Sequence, residues 1–281
     1  MPIKALSIED HSRDSAGMRY VYPVVSRRAG GVSIGINLNP NNACNWRCIY
    51  CQVPELARGG PPPLDLAVLE RELEGFLLWA TTGDFMATRV AVDSRRLVDV
   101  AFSGNGEPTS AAEFADAVAL VGRILSGHGL AETVIVRLIT NGSLLDRKSV
   151  QLGVDRVGAM GGEVWFKLDA GTATAMARIN GSRLRPEAVA RRLARCAELA
   201  PTWVQTCLFS LDGEPPQEGE LRSYLALLAP LVSRLAGVHL YGLARPSLQP
   251  EAPRLGRLAP DWMETFAGRL RSGGLTVRVS P

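Results

Sequence analysis

The segment Asn42-Ala43-Cys44-Asn45-Trp46-Arg47-Cys48-Ile49-Tyr50-Cys51 gathers three cysteines at C-x3-C-x2-C spacing, with a tyrosine directly before the third. Three thiolates this close form a soft donor set, suited to an iron-sulfur cluster, zinc or copper(I) and poorly suited to hard cations. A structural zinc site wants a fourth protein ligand. None is obvious, because the histidines are His11, His128 and His239, and the other cysteines, Cys196 and Cys207, lie far along the chain. On a four-iron cluster, three thiolates leave one iron open to a small molecule, the arrangement in which a metal centre does chemistry. Redox-active thiols remain a further reading of the same run.

Such a loop needs elements to position it. Short apolar runs alternate with longer helical patterns, the mark of parallel βα units. Strands are predicted over residues 32–38, 98–103, 134–140, 164–169, 204–209, 238–244 and 275–279, mostly rich in Val, Ile and Leu as doubly buried parallel strands are. Apolar residues at three-to-four spacing predict helices over 64–79, 111–125, 186–199, 221–235 and 260–271. The expected fold is parallel α/β.

Polar, glycine-rich segments follow the strands. Cys44 comes after the first, Gly104-Asn105-Gly106-Glu107-Pro108 after the second and Asn141-Gly142-Ser143 after the third. Asp169-Ala170-Gly171 and Asp212-Gly213-Glu214 follow the next two. Loops at C-terminal strand ends form the active rim of an α/β barrel, although each alone is also an ordinary turn composition. Glycines at positions 104 and 106 permit close backbone approach, Pro108 fixes the turn, and Glu107 can accept hydrogen bonds from an ammonium group.

Lys167 interrupts an apolar strand, and alternation puts it on one face with Trp165 and Asp169. Pointing inward, it would bind an anion, or act as a Schiff-base amine with its pKa lowered by burial. Arg245 sits at the same predicted rim as a candidate anion clamp. Cys207 is a candidate thiol at a substrate or a small buried hydrophobe; Cys196, on an arginine-rich helix, reads as structural. Lys167 and Cys207 are the candidate catalytic side chains.

The chain of 281 residues is 46% hydrophobic and 21% charged, an ordinary globular composition, and its net charge of +3 argues against a protein dominated by phosphate-backbone binding. Lys4, Lys148 and Lys167 are the only lysines among 31 basic residues. The arginines at 183, 185, 191, 192 and 195 read as a solvated helix face. Five cysteines with three clustered do not resemble a secreted disulfide framework. No signal peptide or membrane-spanning run is visible, so a cytoplasmic protein without membrane contact is expected. An N-terminal extension over 1–31 and one catalytic body over 32–281 are the expected divisions.

C-x3-C-x2-C with Tyr50 before the third cysteine resembles the signature of the radical S-adenosylmethionine (SAM) superfamily, and Gly104-Asn105-Gly106-Glu107-Pro108 resembles its GGEP motif with an inserted asparagine. The resemblance implies a partial parallel (β/α)6 barrel and a [4Fe-4S] cluster on Cys44, Cys48 and Cys51. It implies SAM bound near Tyr50, Gly104, Asn105, Gly106, Glu107, Pro108, Thr140, Asn141, Ser143, Lys167 and Asp169. It also implies an electron donor such as flavodoxin or ferredoxin, and cleavage of SAM to a 5'-deoxyadenosyl radical. From residue 34 to 279 the motif order is similar to the wyosine-synthase-like subgroup, but the upstream cysteines of its second cluster are missing here. A compact small-molecule substrate is therefore expected ahead of peptide or RNA; tRNA-base modification and a non-enzymatic iron-sulfur or zinc sensor are the alternatives.

Overall fold

The computed structural model describes residue 6, residues 17–26 and residues 30–281. Lys4, His11 and most of the expected N-terminal extension lie outside the described residues. Eight strands form one curled sheet in chain order: β1 Val21–Ser26, β2 Gly31–Ile36, β3 Leu97–Phe102, β4 Ile135–Thr140, β5 Glu163–Lys167, β6 Thr202–Cys207, β7 Gly237–Tyr241 and β8 Val277–Ser280. Strands β2 to β8 pair in parallel, while β1 runs antiparallel to β2. The result is a half-barrel, in agreement with the partial parallel barrel expected.

All seven predicted strands are present within a few residues of their expected positions. The eighth, β1, falls inside the stretch expected to be an extension. It is an edge strand, and Pro23 fits there because an edge residue can dispense with one ladder donor.

Helices cover the outer face: α1 Leu66–Thr81, α2 Phe85–Arg89, α3 Phe114–Gly127, α4 Lys148–Ala159, α5 Ala173–Asn180, α6 Pro186–Leu199, α7 Glu218–Leu228 and α8 Pro260–Ser272. The expected helix at 221–235 divides into α7 and a 3-10 turn, Ala229–Arg234, at Pro230. Helices α2, α4 and α5 were not anticipated; α2 is only five residues long, α4 carries Gly153 and Gly158, and α5 is only eight residues long. Gly153 is needed where α4 crosses α3, since a Cβ there would overlap the Phe114 ring. Among the described residues no helix is long and apolar enough to cross a membrane.

The strands are not apolar on both faces. Val100, Phe102, Val136, Leu138, Val164, Phe166, Val204, Val238 and Leu240 face the helices and form the main core with them. Their alternates, among them Asp99, Arg137, Trp165, Lys167, Gln205, Cys207 and Tyr241, line a cavity on the concave side. A half-barrel must bury the helix-facing side but need not fill the other, so one polar face survives.

Gly35 of β2 lets the Tyr22 ring lie flat across the sheet, where Tyr22 Oη and Ser103 Oγ share a hydrogen bond of 2.8 Å. A Cβ at Gly35 would overlap that ring. Gly35→Ala is expected to cost roughly 1–3 kcal/mol by overpacking, read as a lower urea midpoint with faster amide exchange in β1. An unchanged midpoint and exchange rate would show that the ring position is not what fixes the edge strand.

Candidate active site

The cavity on the concave side has a volume of about 340 Å³, and Cys44, Cys48 and Cys51 all open on it. The cysteine loop follows β2 and has little regular structure beyond a two-residue pairing of Ala43–Cys44 with Ala57–Arg58. Its backbone groups therefore bond elsewhere. Arg47 N and Ile49 N donate to Asn180 O and Ile179 O at the end of α5, at 3.0 and 2.9 Å. On the opposite flank Ser247 Oγ donates to Ile49 O (2.7 Å), and Gln249 Nε2 donates to Val53 O (3.0 Å).

The second wall is the loop after β3. Gly104 has φ 133°, a conformation that L side chains rarely adopt, and a Cβ on Gly106 would overlap the carbonyl oxygen of Ala43. Both glycines are thus needed for this loop to lie against the cysteine loop. Asparagines tie the two together: Asn37 Oδ1 accepts from Asn39 N and Asn105 N, both at 3.1 Å, and Asn105 Nδ2 donates to Asn42 Oδ1. Asn105 Oδ1 is buried and has no hydrogen-bond partner among the described residues.

Glu107, 3% exposed, accepts from Thr109 N (3.1 Å), Thr109 Oγ1 (2.6 Å), Thr140 Oγ1 (2.6 Å) and Asn141 N (2.6 Å). Burial pushes its carboxyl above the ordinary value and these four bonds pull it back. Two of these bonds stay within its own loop, and the other two join the loop after β3 to the end of β4 and the loop that follows. Asn141 Nδ2 in turn donates to Asn45 Oδ1 (2.9 Å), and Asn45 Nδ2 to Ser143 Oγ (2.8 Å). Thr140, Ser143 and Pro108 do not line the cavity. The first two give their hydroxyls to this strut.

The third wall carries Lys167, whose side chain points inward. Its Nζ donates to Tyr241 Oη (2.7 Å) and stands over the Tyr50 and Tyr241 rings, 5.0 and 5.2 Å from their centroids. Burial lowers the Lys167 pKa, but Tyr241, Asp169 and the nearby thiols outweigh it and hold the amine above its ordinary value. Asp169 lies behind this wall, accepting from Tyr50 Oη, from Asn180 Nδ2 (2.7 Å) and from Cys207 N (2.8 Å). Arg245 and Cys207 also line the cavity. Cys196 is fully buried beside Thr202, away from it.

Burial pushes the Cys44 thiol up to about 11 and the Cys48 thiol up to about 12, so unliganded they are thiols. Two donors already point at them: Trp46 N at 3.4 Å from Cys44 Sγ and Asn180 Nδ2 at 3.3 Å from Cys48 Sγ. Asn180, Ser247, Gln249 and the asparagines at 37, 39, 42 and 45 were not anticipated as site residues. The dense run Asn37-x-Asn39-x-Asn41-Asn42-x-x-Asn45 was their visible signal.

The sequence matches the family model of the Radical SAM superfamily over residues 38–225, more than half of the chain. No curated protein matches it. Solved structures share the fold, among them the following three. A radical SAM methyltransferase from Sphaerobacter thermophilus has a TM-score of 0.63 at 17% identity, over 92% of this chain and 68% of its own. Streptococcus suis SuiB bound to S-adenosylmethionine has 0.56 at 10% identity, over 90% of this chain and 47% of its own. anSMEcpe with bound AdoMet has 0.53 at 16% identity, over 88% of this chain and 64% of its own. This chain thus spans about half of the second and under two thirds of the third. With the family model covering both the cysteine loop and the loop after β3, the chain belongs to the radical SAM superfamily, whose enzymes work with a [4Fe-4S] cluster and SAM.

Proposed function

We propose that Cys44, Cys48 and Cys51 hold a [4Fe-4S] cluster, that SAM binds beside it, and that the enzyme acts on a compact substrate in the same cavity. The carrying observation is that the three thiols and the Gly104 to Glu107 loop open on one cavity and are tied together by Asn42, Asn45, Asn105 and Asn141. The donor set fits the cluster. Three thiolates and no evident fourth protein ligand leave one iron open, and the N–H groups aimed at Cys44 and Cys48 suit thiolates bonded to iron.

The site also fits SAM. Asn105 Oδ1 is a buried acceptor at the cavity wall, and with the remaining capacity of Glu107 it would take the SAM ammonium. Lys167 would face an anionic group, with Tyr50 fixing its position from below. Thr140, Ser143, Pro108 and Asp169 would act through Glu107, Asn45, the turn and Tyr50. Bound together, cluster and SAM supply one-electron cleavage of the sulfonium to methionine and a 5'-deoxyadenosyl radical that abstracts hydrogen. The protein's part is to align the donors and keep water out. A flavodoxin or ferredoxin would deliver the electron, in the cytoplasm. A cavity of about 340 Å³ shared with SAM favours a small-molecule substrate.

Anaerobic reconstitution with iron and sulfide, then SAM and dithionite, is expected to yield 5'-deoxyadenosine, and Cys48→Ala to abolish both cluster and product. A protein that instead takes up one zinc and forms no 5'-deoxyadenosine would overturn the reading.

Glu107→Gln turns an amide N–H toward at least one of the four donors now facing the carboxylate. It is expected to destabilise the fold by about 1–3 kcal/mol and to slow SAM cleavage at least about tenfold by releasing the loop after β3 from Asn141. Wild-type thermal stability and cleavage rate in this variant would show that the strut is dispensable.

A further inference from the structure

Behind the wall that carries Lys167 lies a second cavity, of about 270 Å³, which the chemistry proposed above does not use. Cys207 borders both cavities, while Asp169 borders only the second. Its walls are largely apolar and partly aromatic, with Phe209 from the loop after β6, Leu221 and Tyr224 from α7 and Phe266 from α8. An apolar cleft with a few placed polar groups is the usual form of a small-molecule site.

Its charged groups are unbalanced. Asp169, Asp212, Glu214 and Glu220 line it against one cation, Arg178. Arg178 is held by Glu220 (2.6 Å), and Asp212 by Arg254 from outside the cavity (2.6 Å). Asp169 is filled by Tyr50, Asn180 and Cys207 N. Glu214 is the surplus, and among the described residues its carboxylate has no partner. A tight turn fixes its place: Leu211 N and Glu214 N donate to each other's carbonyls (2.9 and 3.1 Å), and Pro215-Pro216 follows. The Tyr224 hydroxyl adds a second acceptor. Thr206 Oγ1 gives its one proton to Leu168 O (2.8 Å), so in the 2.6 Å bond between Thr206 Oγ1 and Tyr224 Oη the phenol is the donor and keeps only lone pairs for others.

The same cavity touches what holds the cysteine loop. Arg178 and Ile179 line it from the end of α5, whose carbonyls at 179 and 180 accept from Ile49 N and Arg47 N. The Phe209 ring lies 5.7 Å from that of Tyr50, centroid to centroid, and Ile179 and Leu211 pack with Ile49, Tyr50 and Cys207 in one apolar cluster.

We infer that the second cavity is an effector site for an organic ammonium ion, an apolar body ending in a protonated amine. An ammonium is all donor and no acceptor, which matches a lone carboxylate and an accepting phenol, and the aromatic walls favour a cation as well as an apolar body. A ligand that binds only while α5 and Phe209 are in place stabilises them by mass action, and with them the cysteine loop. This goes beyond the function proposed above and needs neither cluster nor SAM.

The test uses the full chain with phenethylammonium, 2-phenylethanol and phenylacetate as probes, by calorimetry. Phenethylammonium is expected to bind, the neutral alcohol at least about threefold more weakly and the anion at least about tenfold more weakly. Glu214→Gln, at an exposed position outside the first cavity, is expected to lose at least about threefold in phenethylammonium affinity. Saturating phenethylammonium is expected to slow amide exchange at Arg47 and Ile49 at least about threefold, and more than in β1, at the far margin of the sheet. The site is overturned if phenethylammonium fails to bind, if either comparison probe binds as tightly, or if Glu214→Gln leaves the affinity unchanged. Exchange at Arg47 and Ile49 that is unchanged, or slowed no more than in β1, overturns the effector role. Parallel 5'-deoxyadenosine assays on the reconstituted enzyme keep the two readings apart, since binding without product rejects the proposed function alone and product without binding rejects the effector site alone.

Discussion

Everything at the rim depends on the Glu107 carboxylate and its four hydrogen bonds. Loops between strands and helices have no ladder to hold them, so three successive rim loops would be free to move independently. Glu107 removes that freedom for the loops after β3 and β4, and the Asn45 to Asn141 contact extends the restraint to the cysteine loop. A buried carboxylate is expensive unless its oxygens are filled by donors. Here that cost enforces geometry, because displacing either loop would leave the charge unpaired.

The cysteine loop is held from both flanks by groups that do not belong to the rim. The terminal carbonyls of α5 would otherwise be unsatisfied at the helix end, and they accept from Arg47 and Ile49. Ser247 and Gln249 satisfy carbonyls on the other side. Backbone demands left by one irregular segment are met by the end of another. Three sulfurs can therefore be presented to one cavity without a helix or strand beneath them.

Much of this was legible in the residues. The C-x3-C-x2-C run and the Gly104 to Pro108 segment stand out because their chemistry is local in sequence, and the parallel strands because burial against helices demands apolar runs. What was not legible is long-range. The polar concave face was hidden in strands such as Leu97–Phe102, where Asp99 is one residue among apolar neighbours. Thr140 and Ser143 were expected at the SAM face, yet their hydroxyls support Glu107 and Asn45, a choice that rotamers and loop packing make and composition does not. Strand β1 escaped notice because Pro23 argues against a strand until its edge position is known.

The sheet does not close on itself. Strands β1 and β8 are its two edges, yet Val24 and Ser280, one from each edge, both border the cavity. The breadth of the mouth is thus governed by the splay of two marginal strands, whereas the sulfur-bearing end is fixed by interior hydrogen bonds. Mutations that alter the curl at either margin would reshape what enters without disturbing the loop that carries the three cysteines. A scaffold so divided can exchange one guest for another by drifting at its hem while its sulfur-bearing end stays in place.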